Sequence, residues 1–262
     1  MKQLLLLAFS LLTILSCHKD DDVPTTTTKK VYNGNVSLNT QEKVVEFGKN
    51  GYEEINGTLY LSEAVTSLTP LSSITKVGTL NIRYTNLINL DGLNINSVQN
   101  IEIDTNPKLT EIKALKNITN LSSLTIITNT DLKELTGLDY LISADNISIS
   151  GNDELISLNA LNGLKYVNET FSISLNEKLI SVNLKSLYKV KNFKLQANRI
   201  LNEVSAYLKY VEDLTIVSNP KLSDFCDLSI YDNQLLKTET TKIGLNLYNP
   251  TLDQLKRGIC QP

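Results

Sequence analysis

From residue 57 onward, apolar and polar residues alternate in short blocks that return at a nearly constant distance. Leu59-Tyr60-Leu61, Leu80-Asn81-Ile82, Ile101-Glu102-Ile103, Leu124-Thr125-Ile126, Ile147-Ser148-Ile149, Phe171-Ser172-Ile173, Phe193-Lys194-Leu195 and Leu214-Thr215-Ile216 all read apolar-polar-apolar, with starts 21, 21, 23, 23, 24, 22 and 21 residues apart. Because alternate side chains of a strand point to opposite sides, each block predicts a short strand with one inward face. Five residues past the strand start stands Asn106, Asn129, Asn152, Asn176, Asn198 or Asn219. Eight past it stands Leu109, Leu132, Leu155, Leu179, Leu201 or Leu222, and eleven past it Ile112, Leu135, Leu158, Val182, Val204 or Phe225. A period of this length predicts coils stacked into a solenoid, each burying its aliphatic side against the next. A buried Asn at a coil corner can bond backbone groups of its own and neighbouring coils, so the Asn column reads as structural.

An open stack would expose core and strand edges, so both ends need closing. Val36-Ser37-Leu38 reads as a strand, followed by a helix with Thr40 as N-cap and Glu42 in its first turn. That helix runs through Val44, Val45 and Phe47 to a stop at Gly51, with Gly48 and Gly51 allowing left-handed backbone at the exit. Residues 36–51 thus predict an amphipathic lid. At the other end the period fails after Phe225, and a strand-like stretch from Ile243 to Leu247 precedes a short helix capped by Thr251.

Composition narrows the chemistry. The 262 residues are 41% apolar but only 6% aromatic, with no Trp and one Met, so the core is aliphatic. A net charge of -3 gives nucleic acid no basic footprint. The single histidine is His18, near the N-terminus, which leaves no base for Ser-His-Asp or Cys-His catalysis and no His-ligated metal site. Without a Gly-rich phosphate loop or a Cys/His cluster, neither a cofactor nor a metal is expected.

The first thirty residues carry an address. Lys2 precedes an apolar run from Leu4 to Leu15, interrupted only by Ser10 and Thr13. The run is too short to cross a bilayer core of about 30 Å as a helix, and it reads as a signal-peptide h-region. Ile14-Leu15-Ser16-Cys17 resembles the lipobox of bacterial lipoproteins. That resemblance implies cleavage after Ser16, a lipid on Cys17 and a mature chain of 262 − 16 = 246 residues with charge 24 − 28 = −4. His18-Lys19-Asp20-Asp21-Asp22 then looks like the surface-export signal of some Gram-negative lipoproteins, implying an outer-membrane protein, anchored through Cys17 and facing the exterior, with an inward-facing outer-membrane lipoprotein as the alternative. Read from its residues alone, the acidic run with the following Thr25 to Thr28 is a solvated tether. Asn-x-Ser/Thr sequons begin at Asn35, Asn56, Asn117, Asn120, Asn146 and Asn168; behind a lipobox they are incidental.

The array resembles leucine-rich repeats, but with Asn-x-x-Leu in place of the common Asn-x-Leu, as in Asn106-Pro107-Lys108-Leu109 and Asn219-Pro220-Lys221-Leu222. With strands entered through Gly-x-Leu, as in Gly57-Thr58-Leu59 and Gly78-Thr79-Leu80, it looks like the receptor L-domain of insulin-receptor-type ectodomains and bacterial surface proteins. The resemblance runs from about Val31 to Cys260. It implies a mainly β fold, a right-handed β-helix or solenoid of about 22-residue coils, with an N-terminal helical cap and a disulfide-closed C-terminal cap. In an exported chain with Cys17 lipidated, Cys226 and Cys260 flank the end of the repeat and predict that disulfide. The expected organisation is a signal peptide over 1–16, a tether over 17–30, an N-terminal cap over 31–56, the array over 57–225 and a C-terminal cap over 226–262.

Stacked as a parallel sheet, the strands present small polar residues outward. The candidate binding face is Tyr60, Asn81, Arg83, Glu102, Asp104, Thr125, Ser148, Ser172, Lys194 and Thr215. Glu102 and Asp104 share a face, but catalytic carboxylates must straddle a bond, and Arg83 one rung away explains Asp104 as a surface ion pair. Tyr166, Tyr188 and Tyr210 recur just ahead of their strands and predict a stripe along one lateral edge, read either as rings covering core or as a second binding surface. The function expected is therefore a cell-surface binding or adhesion module for a protein or surface polymer, and not an enzyme. A structural envelope lipoprotein is the alternative, and a polysaccharide-degrading β-helix enzyme comes behind both.

Overall fold

A computed structural model describes residues 28–230 and 235–262. The expected signal peptide and lipobox, Cys17 and the acidic run lie outside the described residues. In chain order the elements are β1 (Val31–Tyr32), β2 (Val36–Thr40), α1 (Gln41–Gly48), β3 (Glu54–Ala64), β4 (Lys76–Arg83), β5 (Ser97–Asp104), β6 (Asn120–Ile127), β7 (Ser143–Ser150), β8 (Tyr166–Ser174), β9 (Ser181–Leu184), β10 (Lys189–Gln196), β11 (Glu203–Tyr207), β12 (Asp213–Val217), β13 (Leu228–Ser229), β14 (Thr241–Gly244) and α2 (Leu252–Lys256). Strand makes up 39% and helix 11%, in a parallel β-solenoid of about nine turns with a spacing of about 23 residues.

The main sheet has eleven strands in the order β1-β3-β4-β5-β6-β7-β8-β10-β12-β14, with β2 also pairing with β3. Every pairing is parallel, and the apolar blocks stay in register: Leu59 pairs with Leu80, Leu80 with Ile101, Ile101 with Leu124 and Leu124 with Ile147. The residues expected inward are inward. Leu109, Leu132, Leu155, Leu179, Leu201 and Leu222 are all fully buried, as are Ile126 and Phe225. The opposite wall changes character along the stack. In the earlier coils it is made of 3-10 turns at Thr69–Leu71, Lys113–Leu115 and Asn159–Leu161, whereas β9, β11 and β13 form a second, three-stranded parallel sheet in the later ones.

The Asn column runs through the interior as one hydrogen-bonded ladder. Asn129 donates from Nδ2 to the carbonyls of Ile127 in its own coil, at 3.0 Å, and Ile103 in the coil before, at 2.9 Å. Its Oδ1 accepts from the backbone N–H and Nδ2 of Asn106, and its own N–H donates to Oδ1 of Asn152. The same set recurs at Asn152, Asn176, Asn198 and Asn219. Thr85 opens the ladder by donating to Asn106, and Asn246, which the sequence reading did not include, extends it to Asn249. Turn groups without a strand partner are thereby satisfied in the core, where an unpaired one would cost about 1–3 kcal/mol.

At the strand exits, just before each Asn and before Ala64 and Thr85 at the same place in earlier coils, the chain turns through left-handed backbone. Glu63, Tyr84, Thr105, Thr128, Leu175, Ala197, Ser218 and Leu245 have φ between 53° and 60°, and Gly151 fills the same place at 65°. L side chains are disfavoured in this region, β-branched ones most of all, so Thr105 and Thr128 hold a conformation that the ladder beside them enforces.

At the N-terminus, β1 and β2 together make the first rung, and α1 follows with Thr40 as N-cap, its hydroxyl accepting from Lys43 N–H at 3.3 Å. Gly51 is left-handed at φ 63°, as its position implied, but Gly48 is not. Gly48 is needed for space instead, since a Cβ there would sit 2.2 Å from the carbonyl oxygen of Pro70. Tyr32, Phe47 and Tyr52 cluster with centroids 5.3–5.6 Å apart, and Lys29, expected in the tether, reaches Glu54 at 2.7 Å. At the C-terminus the period lengthens without ending: β14 pairs with β12, placing Thr241 beside Leu214 after 241 − 214 = 27 residues. The Cys226–Cys260 disulfide ties the inserted segment to the final helix, which Thr251 caps through a reciprocal pairing with Gln254.

Candidate binding surfaces

Strand register brings the expected outward residues into one column. Tyr60, Asn81, Glu102, Thr125, Ser148, Ser172, Lys194 and Thr215 stand on successive rungs, with Ser37 before them and Lys242 after. Period-two side-chain alternation puts the whole column outside, because Leu59, Leu61 and their equivalents are inside. Arg83 and Asp104 stand opposite each other in the next outward column.

The face is not uniform. Its early coils hold a charged knot: Arg83 Nη2 lies 2.7 Å from Asp104 Oδ2, with Nε at 3.1 Å, and Nη1 lies 3.7 Å from Glu102 Oε1. The Asp104 hydrogen bond raises the already high pKa of this guanidinium. Asn81 departs from its expected role. It is 7% exposed, and its amide is committed to Glu102, so it supports the acidic residue and presents no surface of its own. Tyr60 and Tyr84 flank the knot, 41% and 58% exposed, with the Arg83 guanidinium 5.7 Å from the Tyr84 centroid. Glu102 and Asp104 lie on one strand and share one cation. Elsewhere the face is quieter, and neighbouring rungs bond to one another, as Ser174 does to Ser150 and Asn100 to Thr79.

The lateral edge is a distinct surface. Backbone bonds run from Tyr188 N–H to the Lys165 carbonyl, while Tyr166 pairs with Lys189 and Lys189 with Tyr210. Three successive rungs therefore read Lys165-Tyr166, Tyr188-Lys189 and Lys209-Tyr210. The rings meet along the diagonal: Tyr166 to Tyr188 is 6.4 Å edge-on, and Tyr188 to Tyr210 is 5.1 Å. Tyr207, from β11, joins at 6.0 Å from Tyr188, and the Lys209 ammonium lies 5.7 Å from the Tyr188 centroid. The hydrogen bond that Tyr188 makes with Tyr210, helped by burial, raises the Tyr188 pKa, and Coulombic attraction to Tyr188 raises that of Lys209. The recurrence of Tyr before each strand was legible in the sequence; Tyr207 was not, because it lies on another strand at a different phase.

A cleft of about 410 Å³ opens on the turn wall, lined by residues that include Asp91, Asn94, Lys113, Lys116 and Asp139. Two of its charges are already engaged, Lys113 with Glu111 and Asp139 with the Gly137 N–H. Among the described residues no group of three or more His, Cys, Asp and Glu is placed to hold a metal ion, and no helix is long and apolar enough to cross a membrane. Against known proteins, no family model, no curated protein and no solved structure matches the chain.

Proposed function

We propose that this chain is a lipid-anchored binding or adhesion module, a receptor L-domain-like solenoid displayed on the outer face of an outer membrane. The observation that carries the reading is the ten-rung outward column from Ser37 to Lys242. At about 4.8 Å per rung it extends roughly 43 Å, the scale of a protein interface or an extended polymer and more than a small substrate needs. Its backbone is fixed by the Asn ladder, which lowers the ordering cost of binding. The Cys226–Cys260 disulfide fits an oxidising compartment, and the Ile14 to Cys17 lipobox with the following aspartates supports anchoring at Cys17 and an outward-facing location.

A structural envelope role draws support from the rung-to-rung bonds on the face, which occupy polar groups a ligand would use. Cell-surface experiments separate the two readings. Cys17→Ser is expected to abolish lipid labelling and release the chain, and the wild-type chain is expected to be cleaved by protease added to intact cells. The full chain is then offered to matrix proteins, a glycan array and whole cells. Retention on one of them supports the module; absence from all three favours the structural role, and a Cys17→Ser chain still held in the membrane contradicts the anchor.

A further inference from the structure

We infer that the tyrosine-lysine checkerboard on the lateral edge binds a polysaccharide chain carrying carboxylate or sulfate groups. The inference deepens the binding-module reading and rests on it.

Three features argue for this ligand. The first is charge. Lys165 and Lys189 are exposed and Lys209 half-buried, and among the described residues none of the three forms an ion pair, although the whole chain is net acidic. Their neighbours Lys185 and Lys191, by contrast, are already matched by Asp227 and Glu169. The second is ring surface. Tyr166, Tyr207 and Tyr210 remain 41–42% exposed around Tyr188, giving the amphipathic faces on which a sugar ring packs its C–H side while its hydroxyls meet phenol oxygens. The third is repeat. Each rung offers one cation and one ring, and the two exchange columns from rung to rung at about 4.8 Å, so a chain of anionic sugars crossing the rungs meets both kinds of group at every step.

Charge and rings together also suit an anionic membrane, but the placement argues against that. The patch lies on β8 and β10 and just ahead of β12, far along the stack from the end where the chain enters at Lys29. It also consists of phenols, without the protruding Trp, Phe or Leu side chains that seat a surface in lipid.

The test uses the full chain with polygalacturonate and dextran sulfate as probes, neutral dextran as control and phosphatidylglycerol vesicles as the competing surface. Binding of an acidic polymer, not of neutral dextran, is expected, weakening steeply as salt rises. Lys165→Gln/Lys189→Gln/Lys209→Gln is expected to lower affinity at least tenfold and flatten the salt dependence. Tyr188→Ala/Tyr210→Ala is expected to lower affinity similarly while leaving the salt dependence in place. Cooperative thermal unfolding of both multiple variants close to the wild-type temperature guards against a folding artefact. Polymer binding that both multiple variants leave intact overturns the inference, as does binding of vesicles without polymer. If the chain ignores both polymers yet holds a protein ligand that Tyr60→Ala weakens, the checkerboard inference fails and the module stands; if it holds nothing, both fail.

Discussion

The inner Asn ladder and the outer tyrosine-lysine edge are both columns written by the same repeat, and they differ in what they leave over. Every ladder Asn is buried and spends its amide on the coils above and below, so nothing remains to offer a ligand. On the edge, Lys165, Lys189 and Lys209 have no carboxylate partner among the described residues and the rings are half open, so interaction capacity remains. Recurrence alone therefore does not identify function in a solenoid. What separates the columns is whether the repeated group is satisfied inside the array, which is a property of burial and partners.

That contrast can be broken from the inside first. Ile126→Asp places a carboxylate in the fully buried interior of β6, and loss of cooperative thermal unfolding is expected, because an unpaired buried charge costs more than a typical domain's margin. A retained sharp transition by circular dichroism would contradict the inward assignment. Next, Asn152→Ala removes an amide with four partners and leaves their backbone groups dry, an expected loss of about 3 kcal/mol or more read from denaturant midpoints. A loss under about 0.5 kcal/mol would mean the ladder is incidental. Smaller still, Thr128→Gly relieves a β-branched residue at φ 56° and is expected to stabilise by about 0.5–1 kcal/mol, whereas Gly151→Thr, one rung on at φ 65°, is expected to destabilise by about as much. Equal effects of one sign would dissolve the idea that the strand exits form a strained column.

Much of this fold was legible because its determinants are local and periodic. Strand blocks, the Asn and Leu columns and Thr40 and Thr251 as caps follow from spacing or from residues with narrow preferences, while the Cys226–Cys260 pairing came from the lipobox resemblance, which sets Cys17 aside in an exported chain. The left-handed column was not legible, since Glu63, Tyr84, Leu175 and Ala197 share no preference for that backbone. Nor was the second sheet, whose strands take the place in later coils that 3-10 turns fill in earlier ones. β14 was hidden by a lengthened coil, so the array looked finished at Phe225 while its sheet and ladder ran on to Asn246. At the candidate surfaces, register placed the outward column, but the burial of Asn81 depends on Glu102 reaching over it, which no spacing rule contains. The checkerboard was present in Leu164-Lys165-Tyr166-Val167 and its two successors, yet its phase reversal at Tyr188-Lys189 acquires meaning only once the three rungs are stacked.

The most direct measurement on the contrast between a satisfied interior and an unsatisfied edge is polygalacturonate affinity at low salt for folded Tyr188→Ala/Tyr210→Ala chain beside wild type. At least a tenfold loss of affinity is expected, with the melting temperature unchanged within a few degrees. Undiminished affinity in a variant that melts like wild type would contradict it.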